Sequence, residues 1–598
     1  MQIEIELICE NQSKTVSCEM GDCLLNVIKA ANVLFDAPCG GNHTCGKCKV
    51  VIQSGTFSPL SAEEHKFLSN QEIESGVRLA CLTHVIDGGR VKIPQKTNAN
   101  IRELGVLREV ECLPAIVRKY LELNAPSATD QRDDQLRIQE SLKTPVKFSF
   151  DALRKLPQVL AEANYKLTVV KDQNTIIKVL PFNQTLSQFG VAIDIGTTTV
   201  VAYLIDGISG EVVATVSSMN EQKLYGADVI SRIQYTIEHE DGLQILCDTI
   251  VKQVDRMIGI LANRAKISTT AIDSAVFTGN TIMTHFLLGV SPKSIAMAPF
   301  QPVFTQIQKI PAQSLGLKLF EGEAVILPCV SGYIGSDITS GMVACDLQKD
   351  EKLKLLVDIG TNGEMVLGNS EFLLGCSTAA GPAFEGAEIR FGMGGTFGAI
   401  STFSMENGKI SFATIGGESP VGICGSGLID IMAALIENNI VDDTGRMLKK
   451  EELSEPFQNY ASIVDGEPAF IIAEGEMPIV MTQKDVRQLQ LAKAAVAAGI
   501  CSLVDSAGKT LKDVDTIYLA GGFGSFIDKH SATQIGLLPK ETEDRICVVG
   551  NAAGMGAILA VKSEAILNKM IETAKNTQYI ELSTSPKFQD FYMDSMFF

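Results

Sequence analysis

The chain lacks a basic excess. Its 51 Lys and Arg stand against 70 Asp and Glu, giving a formal net charge of −19. Nucleic-acid binders usually carry the opposite sign, so that class of partner is not expected. The opening Met-Gln-Ile-Glu-Ile-Glu has no basic region and no long apolar core, so no secretory signal is expected. No run of about 18 apolar residues free of charge and breakers occurs, so no membrane span is expected either. The pattern Gly-x4-Gly-Lys-Ser/Thr is absent, which excludes a P-loop ATPase. There are 15 cysteines, an odd number; four fall in one motif and the rest are scattered without regular spacing. That distribution argues against a disulfide framework and for a reducing cytoplasm.

At 598 residues the chain is too long for one core, and about three or four domains are expected. Residues 1–97 carry 11 acidic and 9 basic side chains, so nearly all the negative charge lies beyond them. Residues 3–8 alternate with period two, as a half-buried strand does, and 14–19 can return as its hairpin partner. Asp22 is placed to cap a helix through Leu24, Leu25, Val27, Ile28 and Ala31. A glycine-rich cysteine loop follows, then a strand at 49–53, a Ser61/Glu64 capping box and a closing strand at 91–93. This order describes a small β-grasp domain. Residues 98–112 read as a linker. Residues 113–185 read as a small α/β middle domain, with strands at 115–123 and 165–170 and helices near 135–142 and after Asp151. A spacer or docking platform is its simplest duty.

The cysteine motif is Cys39-x5-Cys45-x2-Cys48, with Cys81 after 32 further residues. Four thiolates complete the two irons of a 2Fe-2S cluster, and Gly40, Gly41 and Gly46 let backbone N–H groups turn toward the sulfides. A zinc site shares the Cys-x2-Cys knuckle but usually pairs two of them, and only one is present. His43 is a conceivable alternative ligand, though an exposed loop histidine is the simpler reading. The first gap of five residues resembles the adrenodoxin-like branch of 2Fe-2S ferredoxins, over about residues 1–95.

From Phe189 onward one repeat stands out. Val191-Ala-Ile-Asp194-Ile-Gly196-Thr197-Thr198-Thr199 is echoed by Leu356-Val-Asp358-Ile-Gly360-Thr361-Asn362-Gly363-Glu364, the aspartates lying 164 positions apart. Repeats at that distance mean duplicated halves of a domain. Each is a strand, an Asp, a glycine turn and then hydroxyl or amide donors, a composition suited to clamping phosphate. Asp194 and Asp358 can each hold Mg2+, directly or through water, or position an attacking water. A third strand ends in Ala520-Gly521-Gly522, suited to close approach by an adenosine. Asp228, Asn280, Asp337 and Glu385 lie beside other glycine turns and are candidates to face the cleft. Cys376 and Cys424 have no Cys-x2-Cys neighbour and read as buried thiols.

These three segments resemble the acetate and sugar kinase, heat-shock chaperone and actin superfamily. The resemblance implies a first phosphate clamp at Asp194, Gly196, Thr197 and Thr198, a second at Asp358, Gly360, Thr361, Asn362 and Gly363, and an adenosine side at Gly521 and Gly522. Taken with the Cys39/Cys45/Cys48/Cys81 motif, the run Ser377-Thr-Ala-Ala-Gly381-Pro-Ala-Phe-Glu-Gly and the run Gly-Ile-Cys424-Gly-Ser-Gly, nearly the whole chain resembles the ATP-dependent reductive activators of corrinoid proteins. That implies an α/β and α+β multidomain protein: a β-grasp 2Fe-2S ferredoxin at 1–97, a linker at 98–112, a middle domain at 113–185, and a duplicated ribonuclease-H-like ATPase at 186–598.

The implied activity is one-electron return of an inactive Co(II) corrinoid to Co(I) in methyl-transfer metabolism, with a 2Fe-2S cluster, ATP and Mg2+ as cofactors. The implied partners are a corrinoid protein and an upstream electron donor, with a homodimer left open. No cysteine follows Cys547, so the chain departs from the branch with an added C-terminal ferredoxin. Three alternatives stand beside this reading: an ATP-driven electron donor to another metalloenzyme, a redox-sensing small-molecule kinase, and a non-enzymatic cobalamin-protein chaperone.

Overall fold

The computed structural model describes the chain apart from residues 1, 10–11, 32, 34, 36, 38–40, 42, 44–45, 95–107, 407, 476 and 522–523. At the N-terminus, Ile3, Ile5 and Leu7 alternate inward from the strand Gln2–Cys9, which pairs antiparallel with Gln12–Glu19 and parallel with Val85–Lys92. Lys49–Phe57 and Val77–Leu79 complete a five-stranded sheet, and the helix Leu24–Ala30 buries Leu24, Leu25, Val27 and Ile28 in its core. This is the β-grasp order. The closing strand begins earlier than expected, because Gly88 and Gly89 interrupt the apolar alternation that would have revealed it.

Two local expectations are refined. Asp22 does not cap the helix: Cys23 occupies the cap position, and the Asp22 carboxylate instead accepts from the Glu19 N–H at 2.8 Å, one turn back. The reciprocal Ser61/Glu64 bonds are present, and a second capping box, Ser69/Glu72, starts the helix Asn70–Glu74.

The middle region forms a four-stranded sheet in the order Ile116–Glu122, Lys166–Asp172, Thr175–Pro181, Lys147–Phe148, with helices Asp134–Leu142 and Phe150–Glu162. Arg118 and Lys178 reach from this sheet to Asp273 of the next domain. Arg118 makes a two-pronged pair at 2.6 and 2.9 Å, and Lys178 adds a bond at 3.2 Å, all three side chains being buried. A charge cluster so enclosed persists only when paired, so it pins the middle sheet to the strand Ile272–Gly279.

The remainder holds two six-stranded sheets of the same plan. In the first, Phe189–Ile195 pairs antiparallel with Thr199–Asp206 and parallel with Ile272–Gly279. In the second, Leu353–Ile359 pairs antiparallel with Gly363–Gly368 and parallel with Val514–Ala520. The sequence repeat is therefore a structural duplication. The helices Ser336–Ala344 and Ala552–Lys562 cross between the sheets in close contact; a Cβ on Gly556 would lie 2.3 Å from the Ser340 carbonyl oxygen. The helix Gln483–Ser506 is long and apolar enough by composition to cross a membrane, but most of it is buried, and it contributes Val486, Leu489 and Val496 to the core of the second lobe.

Candidate functional site

The strands Lys49–Phe57 and Val77–Leu79 pair with Lys49 opposite Leu79, so the residues just before and just after them come together. Ala80 N–H donates to the Cys48 carbonyl at 2.8 Å, and the Cys48 and Cys81 sulfurs lie 3.2 Å apart, both buried. Glu64, fully buried, grips Arg78 with both oxygens and accepts the Leu79 N–H, which fixes the strand leading to Cys81. Burial alone would raise the Glu64 pKa, but Arg78 and the N–H donors outweigh it and hold the carboxyl below its usual range. Two converging buried thiols suit half of the ligand set of an iron–sulfur cluster. Cys39 and Cys45 lie outside the described residues. His43 is exposed.

In the two duplicated lobes each Asp-Gly turn closes on itself: Gly196 N–H donates to the Thr199 carbonyl and Gly360 N–H to the Asn362 carbonyl, both at 2.9 Å. Residues without a sequence assignment hold the first turn. Asn220 donates to the Gly196 carbonyl at 2.8 Å, and Arg232, fully buried, donates to the Thr197 carbonyl at 2.6 Å. Asn280 donates to Thr197 Oγ1 at 3.1 Å. Gly521 sits where the second clamp meets the third motif. It has φ +99°, and a Cβ there would lie 2.6 Å from the Ile359 carbonyl oxygen and 2.7 Å from Asp358 Oδ1. Gly522 lies outside the described residues.

Asp194, Asp337, Asp358 and Glu364 lie near enough to one another to repel: Asp337 acts on each of the other three, and Asp358 feels Asp194 and acts on Glu364. Withdrawal from water pushes Asp194 up to about 7, with Asn551 opposing and Asp337 adding to the rise. Withdrawal raises Asp337 to about 6. It raises Asp358 to about 7, helped by Asp337 and Asp194. Glu364 is raised well above the usual range by withdrawal and by Asp337 and Asp358. Such mutual repulsion in a shielded cleft is relieved by a cation.

Glu385 spans the lobes. One oxygen accepts from Thr361 Oγ1 at 2.7 Å and the other from Thr198 Oγ1 at 3.2 Å, so a single side chain joins the two clamps. Of the other candidates, Asp337 is withdrawn from water, accepts the Ile338 N–H at 2.8 Å and repels Asp194 and Asp358, Asn280 braces the Thr197 hydroxyl, and Asp228 serves as the cap of the helix Val229–Glu238. Glu364, Arg232, Asn220 and Asn551 were not distinguishable as site residues by motif. Cys376 and Cys424 are buried thiols, Cys376 pushed above its usual pKa by burial.

Family models match almost the full length in four consecutive pieces. These are a 2Fe-2S iron–sulfur cluster binding domain over 7–85, the RACo linker region over 105–185, the RACo middle region over 189–350, and the C-terminal ASKHA domain of RACo over 352–598. The corrinoid activation enzyme RamQ of Eubacterium limosum is 34% identical over 572 residues, covering 94% of this chain and 93% of the relative. The chain belongs to the RACo family of corrinoid activators. Its N-terminal β-grasp is the family's ferredoxin domain, its second lobe falls in the family's C-terminal ASKHA domain, and its first lobe falls in the family's middle region. A solved reductive activator for corrinoid, iron–sulfur protein superposes with a TM-score of 0.74 at 33% identity, covering 99% of this chain and 98% of that one. A Methanosarcina barkeri reductase acting on a Co(II) methylated-amine-specific corrinoid protein is 24% identical, over 68% of this chain and 76% of its own.

Proposed function

We propose that this chain is an ATP-dependent reductive activator that returns the Co(II) form of a corrinoid protein to Co(I), one electron at a time, in a methyl-transfer system. The observation that carries the reading is the contact of Lys47, beside the ligand candidate Cys48, with the segment that follows Glu385. Lys47, next to Cys48, donates to the carbonyls of Gly386 and Gly392, and Gly386 follows the clamp-bridging Glu385. Such a contact suits an ATP-gated electron donor better than a kinase with a remote sensor.

Cys39, Cys45, Cys48 and Cys81 would hold the 2Fe-2S cluster, which supplies one-electron chemistry at low potential. Thr197, Thr198, Thr361 and Asn362 would hold the phosphates, with Gly521 and Gly522 against the adenosine. Asp194, Asp337, Asp358 and Glu364 would take Mg2+. Among the described residues no three acidic, His or Cys side chains close on one ion position, so water would complete the shell. Asp194 or Asp358 would orient the attacking water.

Co(I) is a strong reductant, and each unfavourable 59 mV costs about tenfold for one electron. ATP can offset that only through different affinities for distinct states of the pair. In this reading, hydrolysis drives partner release after reduction. The domain limits are those read from the sequence, 1–97, 98–112, 113–185 and 186–598. The working compartment is the cytoplasm, electrons come from an upstream donor, and a homodimer is compatible with the reading.

The test mixes reduced protein, MgATP and candidate corrinoid proteins and follows Co(II) loss optically. ATP-dependent loss with one partner is expected; no ATP-dependent loss with any partner would contradict the reading. Single-turnover Co(I) formation that needs hydrolysis, with dissociation that does not, would reverse the proposed order.

A further inference from the structure

We infer that Lys47 and Glu385 form a nucleotide-released latch that holds the cysteine loop on the ATPase cleft. The inference rests on the nucleotide-cleft reading of the two clamps. Three observations carry it. First, Glu385 occupies the hydroxyls of Thr198 and Thr361, one on each clamp, by separate oxygens. Second, the peptide that follows Glu385 turns sharply: Gly386 has φ +76°, and its carbonyl is brought beside that of Gly392. A Cβ on Gly392 would stand 2.3 Å from the Gly386 oxygen, so the close approach of the two backbones depends on glycine. Third, the paired carbonyls receive one ammonium, that of Lys47, from the cysteine loop. The far end of the segment is fixed independently, since Arg390 N–H donates to the buried Asp485 at 2.7 Å. Gly392 lies beyond that anchor and is held further by the Met393 N–H on the Ile423 carbonyl, so movement imposed at Glu385 falls on the Gly386 carbonyl and parts it from a fixed Gly392.

The trigger is electrostatic. A triphosphate seated between the clamps needs the two threonine hydroxyls and brings several negative charges toward the Glu385 carboxylate. In a shielded cleft that repulsion is large, and Glu385 must withdraw. Its withdrawal shifts the adjoining Gly386 peptide, separates the two carbonyls and weakens the hold on Lys47. Without nucleotide the cysteine loop rests on its own ATPase; with nucleotide it is free to meet the partner. Lys47 is a positioning residue in this scheme, acting through the loop.

The test is hydrogen exchange on the full-length, cluster-loaded protein, with and without a non-hydrolysable MgATP analogue, for peptides covering 46–52 and 386–393. Wild type should exchange about tenfold faster in both segments with the analogue, equivalent to about 1.4 kcal/mol of local stability. Lys47→Met should already exchange fast in 46–52 without nucleotide and respond no further, with its visible spectrum confirming an intact cluster. Glu385→Gln, which can accept from one threonine hydroxyl and donate to the other while lowering the repulsion, should bind the analogue with a smaller exchange response. A fluorescent-nucleotide titration of each sample separates the possible failures. Nucleotide that binds with no exchange change in wild type overturns the latch. An unaltered response in Lys47→Met overturns the role of Lys47. No nucleotide binding in wild type overturns the cleft reading and the latch with it.

Discussion

Asn551 donates to Asp194 Oδ2 at 2.9 Å, joining the start of the helix Ala552–Lys562, which follows the second sheet, to the Asp-Gly turn of the first. The same side chain accepts the Gly554 N–H at 2.7 Å and so caps its own helix. Asn551→Ser keeps a capping oxygen but cannot donate to Asp194 in the same way. We expect little loss of thermal stability from that variant but weaker binding of MgATP, by about tenfold, as befits a lost hydrogen bond to a charged group of about 1.5 kcal/mol. Asn551→Ala should lose both, its melting temperature falling as well. Calorimetric titration with a non-hydrolysable analogue and thermal melts read the two effects apart.

The cleft carboxylates set a pH dependence. In the unfolded chain they ionise near 4, whereas folded Asp194 and Asp358 are raised to about 7 and Asp337 to about 6. Between about pH 4 and 7 the folded, ligand-free state therefore binds more protons than the unfolded one, and their contribution to stability falls as pH rises, levelling off above 7. Mg2+ binding needs the ionised forms, so metal–nucleotide affinity should rise over the upper part of that window and release protons. Titration in buffers of different ionisation enthalpy measures that release; proton-neutral binding at pH 6.5 would contradict the raised values.

Gly521→Ala places a methyl 2.7 Å from Asp358 Oδ1 on a backbone with φ +99°. The left-handed conformation alone costs roughly 1–2 kcal/mol for an L-residue. Asp358 must shift, and we expect nucleotide affinity to fall by more than the loss in melting temperature would suggest. Analogue titration beside a thermal melt checks this.

Arg118→Met leaves the buried Asp273 with Lys178 as its remaining cationic partner at 3.2 Å. Breaking one arm of a buried charge cluster is expected to cost about 3 kcal/mol. The loss should be concentrated where the middle sheet meets the first lobe, so exchange should rise in 116–122 and 272–279. A uniform rise across both lobes would show that Asp273 does not pin that interface.

The parts of this architecture that could be read from sequence are those written in local strings. The two Asp-Gly turns, the cysteine spacing and the first alternating strand each declare themselves within about ten residues, because turn geometry and strand periodicity are local constraints. Glu385 is legible as a cleft candidate but not as the bridge between the two turns, and Asn551 and Arg232 are not legible at all, because these roles depend on partners 187, 357 and 35 positions away. A polar residue between glycines was the sole signal for the first. The strand Thr175–Pro181 escaped because Ile176, Ile177, Val179 and Leu180 form an apolar run rather than an alternation. Asp22 was misplaced by one position, since an acidic residue before an apolar run fits either a cap or the turn that precedes it.

The central claim is that ATP licenses an electron to leave through the loop that carries Cys48. Its most direct test compares wild type with Cys48→Ser in a single-turnover reaction with the Co(II) corrinoid protein, prereduced activator and MgATP, following the cobalt spectrum while ATP cleavage is measured in parallel. Wild type should convert Co(II) only when ATP is present, and Cys48→Ser should cleave ATP yet leave Co(II) unchanged. A Cys48→Ser protein that still forms Co(I), or wild type that does so equally well without nucleotide, would contradict it.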